Sequence, residues 1–159
     1  MSARAESLAK QFEAKAAEVT TTLGKLSEAD WKKVTAAEKW SVGVTAHHLA
    51  GAHEPITGIV KTVAAGQSIP NFTMDMLHEA NAKHAREYAG CTKAETLALH
   101  QKGVATAAAA VRALSDAELD RSGTVLTGVP AMTAQQVVEG ILINHISEHL
   151  GSIRKTVGS

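Results

Sequence analysis

The fold turns on the segment Val138-Glu139-Gly140-Ile141-Leu142-Ile143-Asn144-His145-Ile146-Ser147-Glu148-His149-Leu150-Gly151-Ser152-Ile153. On a helical wheel Val138, Ile141, Leu142, His145, His149 and Ile153 fall close to one stripe. The segment therefore reads as an amphipathic helix with two imidazoles on the face it turns to the core. Residues four apart on a helix have Cβ atoms about 5–6 Å from each other, so His145 and His149 can converge on one metal ion. A third ligand from another helix would leave a coordination position open, as catalytic metal sites need.

The best distant ligand lies in Trp40-Ser41-Val42-Gly43-Val44-Thr45-Ala46-His47-His48-Leu49. Val44, His48, Ala52, Pro55 and Ile59 share an apolar face, whereas His47 points roughly 100° away from it. His48 is thus preferred over His47. An uncompensated polar group on such a face costs about 1–3 kcal/mol. Metal ligation removes that cost if each second ring nitrogen also finds a partner. The competing reading is three hydrogen-bonded core histidines with no metal.

Outward from these two segments the chain reads as helices. Leu8, Phe12, Ala16, Val19 and Leu23 mark a first helix over about residues 2–24, with Gly24 as its stop. Ser27-Glu28-Ala29-Asp30 is a short helical start that feeds Trp31. Ser41 caps a second long helix running to about Ala65, kinked where Pro55 removes an amide donor. Thr73 opens a helix over about 74–89. Thr92-Lys93-Ala94-Glu95 is a capping box that opens another, ending near Leu114. These two segments are also compatible with one long, broken helix. Ser115-Asp116-Ala117-Glu118 begins a short turn, and 121–131 reads as a loop in which Thr124-Val125-Leu126 can be extended. Thr133-Ala134-Gln135-Gln136 is a second capping box, with Met132 and Val137 as its hydrophobic staple, and starts the last helix. The sum is an all-α chain, a four-helix bundle with short additional helical turns, and 159 residues fit one domain.

Charge excludes some partners. Lys plus Arg and Asp plus Glu both number 16, so the formal net charge is zero. A nucleic-acid binder normally carries a basic face, and an anionic membrane surface attracts basic segments, so neither partner is expected. Cys91 is the only cysteine, which rules out an intramolecular disulfide and a Cys-rich zinc site. No run approaches the ~18 apolar residues of a membrane span. The N-terminus has no apolar signal core. The expected location is the cytoplasm.

The order His145-x-x-Glu148-His149 also matches the inverted zincin pattern, in which Glu148 would be the general base beside two zinc ligands. With three fixed positions in five, the pattern is short, and Glu148 reads more readily as a solvated helix residue than as a base. His53, His78, His84 and His100 are scattered and read as surface or hydrogen-bonded structural residues, with His78 the one placed to approach the site. Glu54 can support the site from outside or face solvent. Trp31 and Trp40 are expected to anchor the second helix.

The Trp40-Ser41-Val42-Gly43 start, the His48-Leu49 pair, Asn81-Ala82 and the terminal Asn144-His145-x-x-x-His149-Leu150-Gly151-x-Ile153 together resemble the DinB-like family. That superfamily includes mycothiol-dependent maleylpyruvate isomerases and bacillithiol transferases. The resemblance covers nearly the whole chain. It implies a four-helix bundle, often a homodimer, with a metal triad on His48, His145 and His149. The metal would be zinc, with nickel, iron or manganese also suited to imidazole. A metal-dependent transfer of a low-molecular-weight thiol to an electrophile is the leading expectation. A metal-dependent hydrolase assisted by Glu148 and a non-catalytic metal- or ligand-binding module are the alternatives. The small-molecule substrate is not readable from these residues.

Overall fold

Side-chain caps fix where the helices begin. The computed structural model describes residues 2–158. Ser2, Ser27, Ser41, Thr73, Thr92, Ser115 and Thr133 each accept a hydrogen bond from a backbone amide three residues on. Such caps contribute about 1 kcal/mol each. The boxes expected at Thr92 and Thr133 are present, and Ser27–Asp30 and Ser115–Glu118 form two more.

The resulting helices are α1 (Ala3–Gly24), α2 (Glu28–Lys32), α3 (Val42–Gly51), α4 (His53–Ala64), α5 (Met74–Glu87), α6 (Lys93–Arg112), α7 (Asp116–Asp120), α8 (Ala134–Val137) and α9 (Asn144–Val157). A π-helical stretch, Val138–Ile143, joins α8 to α9. Four columns make the bundle: α1, the α3–α4 pair, α6, and the α8–π–α9 run. Phe12, Leu23, Leu49, Leu142, Ile146, Leu150 and Ile153 fill the space between them and are fully buried. Among the described residues no helix is long and apolar enough to cross a membrane.

The expected kink falls at Ala52, a single residue between α3 and α4 that stays right-handed helical, as follows from Pro55 lacking the amide that the Gly51 carbonyl would need. The segments 74–87 and 93–112 are separate helices. α5 buries no residue fully and rests on α3, while α6 is a bundle column. The extended pair does not fall at Thr124–Leu126. Strands β1 (Ser122–Gly123) and β2 (Met132–Thr133) pair antiparallel at the two ends of that loop, and Val125 is buried instead. Gly123 permits this, because a Cβ there would collide with the carbonyl of Gln67.

Trp31 anchors the start of α3 through a close approach. A Cβ at Gly43 would overlap the Trp31 indole, whose Nε1–H donates to the carbonyl of Cys91 at 3.0 Å. Gly43→Ala should therefore cost about 1–3 kcal/mol, the usual penalty for overpacking. Urea unfolding of the two proteins measures it, and equal midpoints would show that the indole moves freely.

Candidate metal centre

Three histidines from two columns meet at one end of α3 and α9. The candidate ligand atoms of His48, His145 and His149 all lie within 4.8 Å of one another. Nε2 of His48 is 3.0 Å from Nε2 of His145, across 97 positions of sequence. Ring centroids are 4.8 Å apart for His48–His145, 4.9 Å for His48–His149 and 4.4 Å for His145–His149. Trp40 braces the trio, edge to face with His48 at 5.2 Å.

The two histidines of α9 sit beside the core stripe and not in it. The fully buried positions of that column are Val138, Leu142, Ile146, Leu150 and Ile153. His145 and His149 lie on the adjoining face and are half-buried. The expectation that both face the packed core is corrected accordingly. They border it. The π-helical stretch ends at Ile143, immediately before this face, and such stretches occur frequently at functional sites.

A loop supplies the carboxylate that orients His149, whereas Nδ1 of His145 has no partner among the described residues. Between α2 and α3 the chain turns back on itself, held by a bridge of Val34 with Ser41 and by the Thr35 amide donating to the carbonyl of Trp40 at 2.8 Å. Lys39 takes a left-handed conformation at φ 63° in this turn. Glu38 is thereby carried to α9, where Nδ1 of His149 donates to its Oε1 at 3.3 Å and the Ser152 hydroxyl donates to its Oε2 at 2.7 Å. The side chains of His149 and Glu38 are only 14% and 10% exposed. A carboxylate accepts and does not donate, so Nδ1 of His149 carries a proton and Nε2 is the nitrogen available to a metal. Removing such an outer carboxylate typically costs 10–100-fold in metal affinity, so Glu38→Gln should weaken zinc binding by roughly that factor in a competition titration. An unchanged constant would show that the Glu38 carboxylate does not set the affinity of the site.

Burial keeps the rings of His48 and His145 neutral. Burial, reinforced by His149, His84 and His47, holds His48 down at about 3. Burial, reinforced by His149, His48 and His53, holds His145 down at about 2. Neutral imidazole is the metal-binding form. Two bare nitrogens at 3.0 Å repel unless a proton or a cation lies between them. Tetrahedral zinc with Zn–N bonds of 2.0–2.1 Å separates its ligands by roughly 3.3 Å, close to what His48 and His145 present. The donor set thus fits a divalent metal.

The remaining candidates separate from this cluster. Glu148 is exposed and accepts from the Asn144 side-chain amide at 3.0 Å, on the outer side of α9. His47 is turned from the trio, with Nδ1 2.8 Å from Nε2 of His84 and its ring stacked on Tyr88 at 4.1 Å. His53 and His100 form a buried pair at 3.0 Å, in which His100 Nε2–H donates to the carbonyl of Ala16 at 2.9 Å. His78 and Glu54 are exposed. His84, not His78, is the α5 histidine that reaches the site, 5.6 Å from His48 between ring centroids. Cys91 is half-buried outside the trio, its thiol pushed up by burial and donating to the carbonyl of Gly43 at 3.3 Å. Sequence reasoning missed Glu38 and Ser152. Glu38 lies in an irregular turn where helical periodicity carries no signal, and Ser152 follows His149 by three residues on the same face.

Fold and cluster together define a DinB-like helical bundle whose histidine trio suits a divalent metal. The chain belongs to the family of the mycothiol maleylpyruvate isomerase N-terminal domain, whose model matches residues 12–141. Among curated protein sequences none matches this chain. Of solved structures, a mycothiol-dependent maleylpyruvate isomerase superposes with a TM-score of 0.73 at 13% identity, over 96% of this chain. A mutant of that isomerase gives 0.74 at the same identity and coverage. The chain spans 63% of the isomerase's length. YfiT from Bacillus subtilis, described as a probable metal-dependent hydrolase with an unusual four-helix bundle topology, gives 0.76 at 16% identity, over 99% of this chain and 90% of that one. At these identities the likeness concerns the fold.

Proposed function

We propose that this protein is a divalent-metal-dependent enzyme that activates a low-molecular-weight thiol for transfer to an electrophilic small molecule. The observation that carries the reading is the convergence of His48, His145 and His149 within 4.8 Å, in a chain of this family. His48 and His145 would hold the metal through their Nε2 atoms, and His149 would complete the set with Glu38 fixing its ring. Three protein ligands leave a position for a small molecule. Bound there, a zinc ion would supply positive charge that keeps a thiol ionised at neutral pH. Trp40 packs edge to face on His48 and covers one side of the site.

A hydrolytic reading has its own support in the likeness to YfiT over 90% of that chain. Glu38 already orients His149, and Glu148 is exposed, so neither is the base this reading needs without rearrangement. The two readings part on one comparison. Zinc-loaded protein is assayed against a panel of electrophiles and esters with and without an added thiol. Turnover that needs both metal and thiol supports transfer. Turnover that needs metal alone supports hydrolysis and overturns the thiol reading.

A further inference from the structure

Two buried side-chain nitrogens have no protein partner among the described residues, Nδ1 of His84 and Nδ1 of His145. Both belong to rings packed on His48, at centroid separations of 5.6 Å and 4.8 Å. His145 is already assigned to the metal through its other nitrogen. His84 belongs to α5, outside the trio, and nothing in the ligand set explains its buried Nδ1.

Every contact of the His84 ring serves to fix it. Its Nε2 lies 2.8 Å from Nδ1 of His47. Tyr88 leans on it at 4.9 Å and stacks on His47 at 4.1 Å. With Nε2 committed to His47, Nδ1 is the ring atom left without a partner, on a ring 5.6 Å from His48 between centroids. In a pair of neutral imidazoles one nitrogen donates and the other accepts, so His84 Nδ1 is an N–H donor or a bare acceptor according to the tautomer. A hydroxyl or an amide meets either form, and an alkyl group meets neither. A buried nitrogen without a partner destabilises the free protein, and a ligand group that pairs with it recovers that loss on binding.

We propose that His84 is a substrate-positioning residue, its Nδ1 hydrogen-bonding a hydroxyl or amide that the low-molecular-weight thiol carries a short spacer from its sulfur. This rests on the thiol reading above and adds the chemical class of the thiol: polar near the sulfur, not a plain alkyl chain. His47 and Tyr88 are the residues that hold the ring in place.

The test uses cobalt-loaded full-length protein, whose charge-transfer absorption reports a sulfur ligand. It is titrated with 2-mercaptoethanol and with 1-propanethiol, which have the same length and differ in the terminal hydroxyl. Two variants separate the ring's nitrogens. His84→Gln places an amide near the Nε2 position and keeps the bond to His47. His84→Asn places one near Nδ1. The preference for 2-mercaptoethanol over propanethiol should fall by roughly three- to tenfold in His84→Gln, the loss expected for one hydrogen bond. It should persist in His84→Asn, and both variants should bind cobalt as the parent does. An unchanged preference in His84→Gln overturns the assignment. So does an equal fall in both variants, which would make His84 a structural partner of His47, or a loss of cobalt affinity in either. If the parent's spectrum answers to neither thiol, the thiol reading and the assignment fall together. If it answers to both and His84→Gln changes nothing, only the assignment falls.

Discussion

Zinc added to metal-free protein at about a hundredfold excess over its dissociation constant should stabilise the fold by about 2.7 kcal/mol. For a chain of this size that raises the melting temperature by roughly 5–11 °C. The shift should vanish when His48, His145 and His149 are all changed to Ala. The metal-free variant should remain folded, because these rings border the stripe of Val138, Leu142, Ile146, Leu150 and Ile153 and are not part of it. The same change at His47, His53 and His100 would leave the zinc shift intact, since those rings are committed to His84, to each other and to the Ala16 carbonyl. Differential scanning calorimetry with and without zinc reads both. A zinc shift that survives the triple substitution would place the cation elsewhere on the chain.

Acid should unfold the metal-free protein at unusually mild pH. Burial, with His100 beside it, holds His53 down at about 3, and burial first of all does the same to His48 and His145, at about 3 and about 2. His100 is shifted in the same direction, again by burial. In the unfolded chain each returns to an ordinary value of about 6.5. As pH falls below that value the unfolded state takes up protons and the native state does not, so stability is full above about 6.5 and drains away toward pH 3. For His53 alone the loss between pH 7 and pH 5 is about 2 kcal/mol. Several such groups together approach the 5–15 kcal/mol that typically separates native from unfolded states, so unfolding near pH 4–5 follows, at roughly the level where most domains are still stable. Urea titrations at pH 7 and pH 5 measure the difference, and His53→Leu should reduce it by about 2 kcal/mol. Equal stabilities at the two pH values would mean that these rings are already charged or exposed in the fold.

Much of this architecture is legible in the sequence because helices announce themselves locally. Thr92–Glu95 and Thr133–Gln136 specify their capping boxes within four residues, and Pro55 sets the kink between α3 and α4 because it lacks an amide hydrogen. The trio was readable for the same reason, since the spacing of His145 and His149 and the face of His48 are properties of single helices. What escaped the sequence is what depends on two segments meeting. The Val34–Ser41 bridge carries Glu38 onto His149 across 111 positions, and no period connects them. His84 reaches the site in place of His78 because α5 rests on α3 with the face that holds Leu77, Asn81 and His84. The π-helical stretch at Val138–Ile143 has no signature in the spacing of apolar residues, and the wheel that put both histidines of α9 in the core assumed an unbroken helix. β1 and β2 fell at the ends of the 121–131 loop because Gly123 alone could approach Gln67.

The central claim is that His48, His145 and His149 hold one divalent metal with a position left open. X-ray absorption at the zinc edge on zinc-loaded protein tests it most directly. The prediction is one zinc per chain with three imidazole nitrogens at about 2.0–2.1 Å and one further light ligand from solvent. A first shell that contains sulfur, that lacks three imidazoles, or that loses none of them in His145→Ala would contradict it.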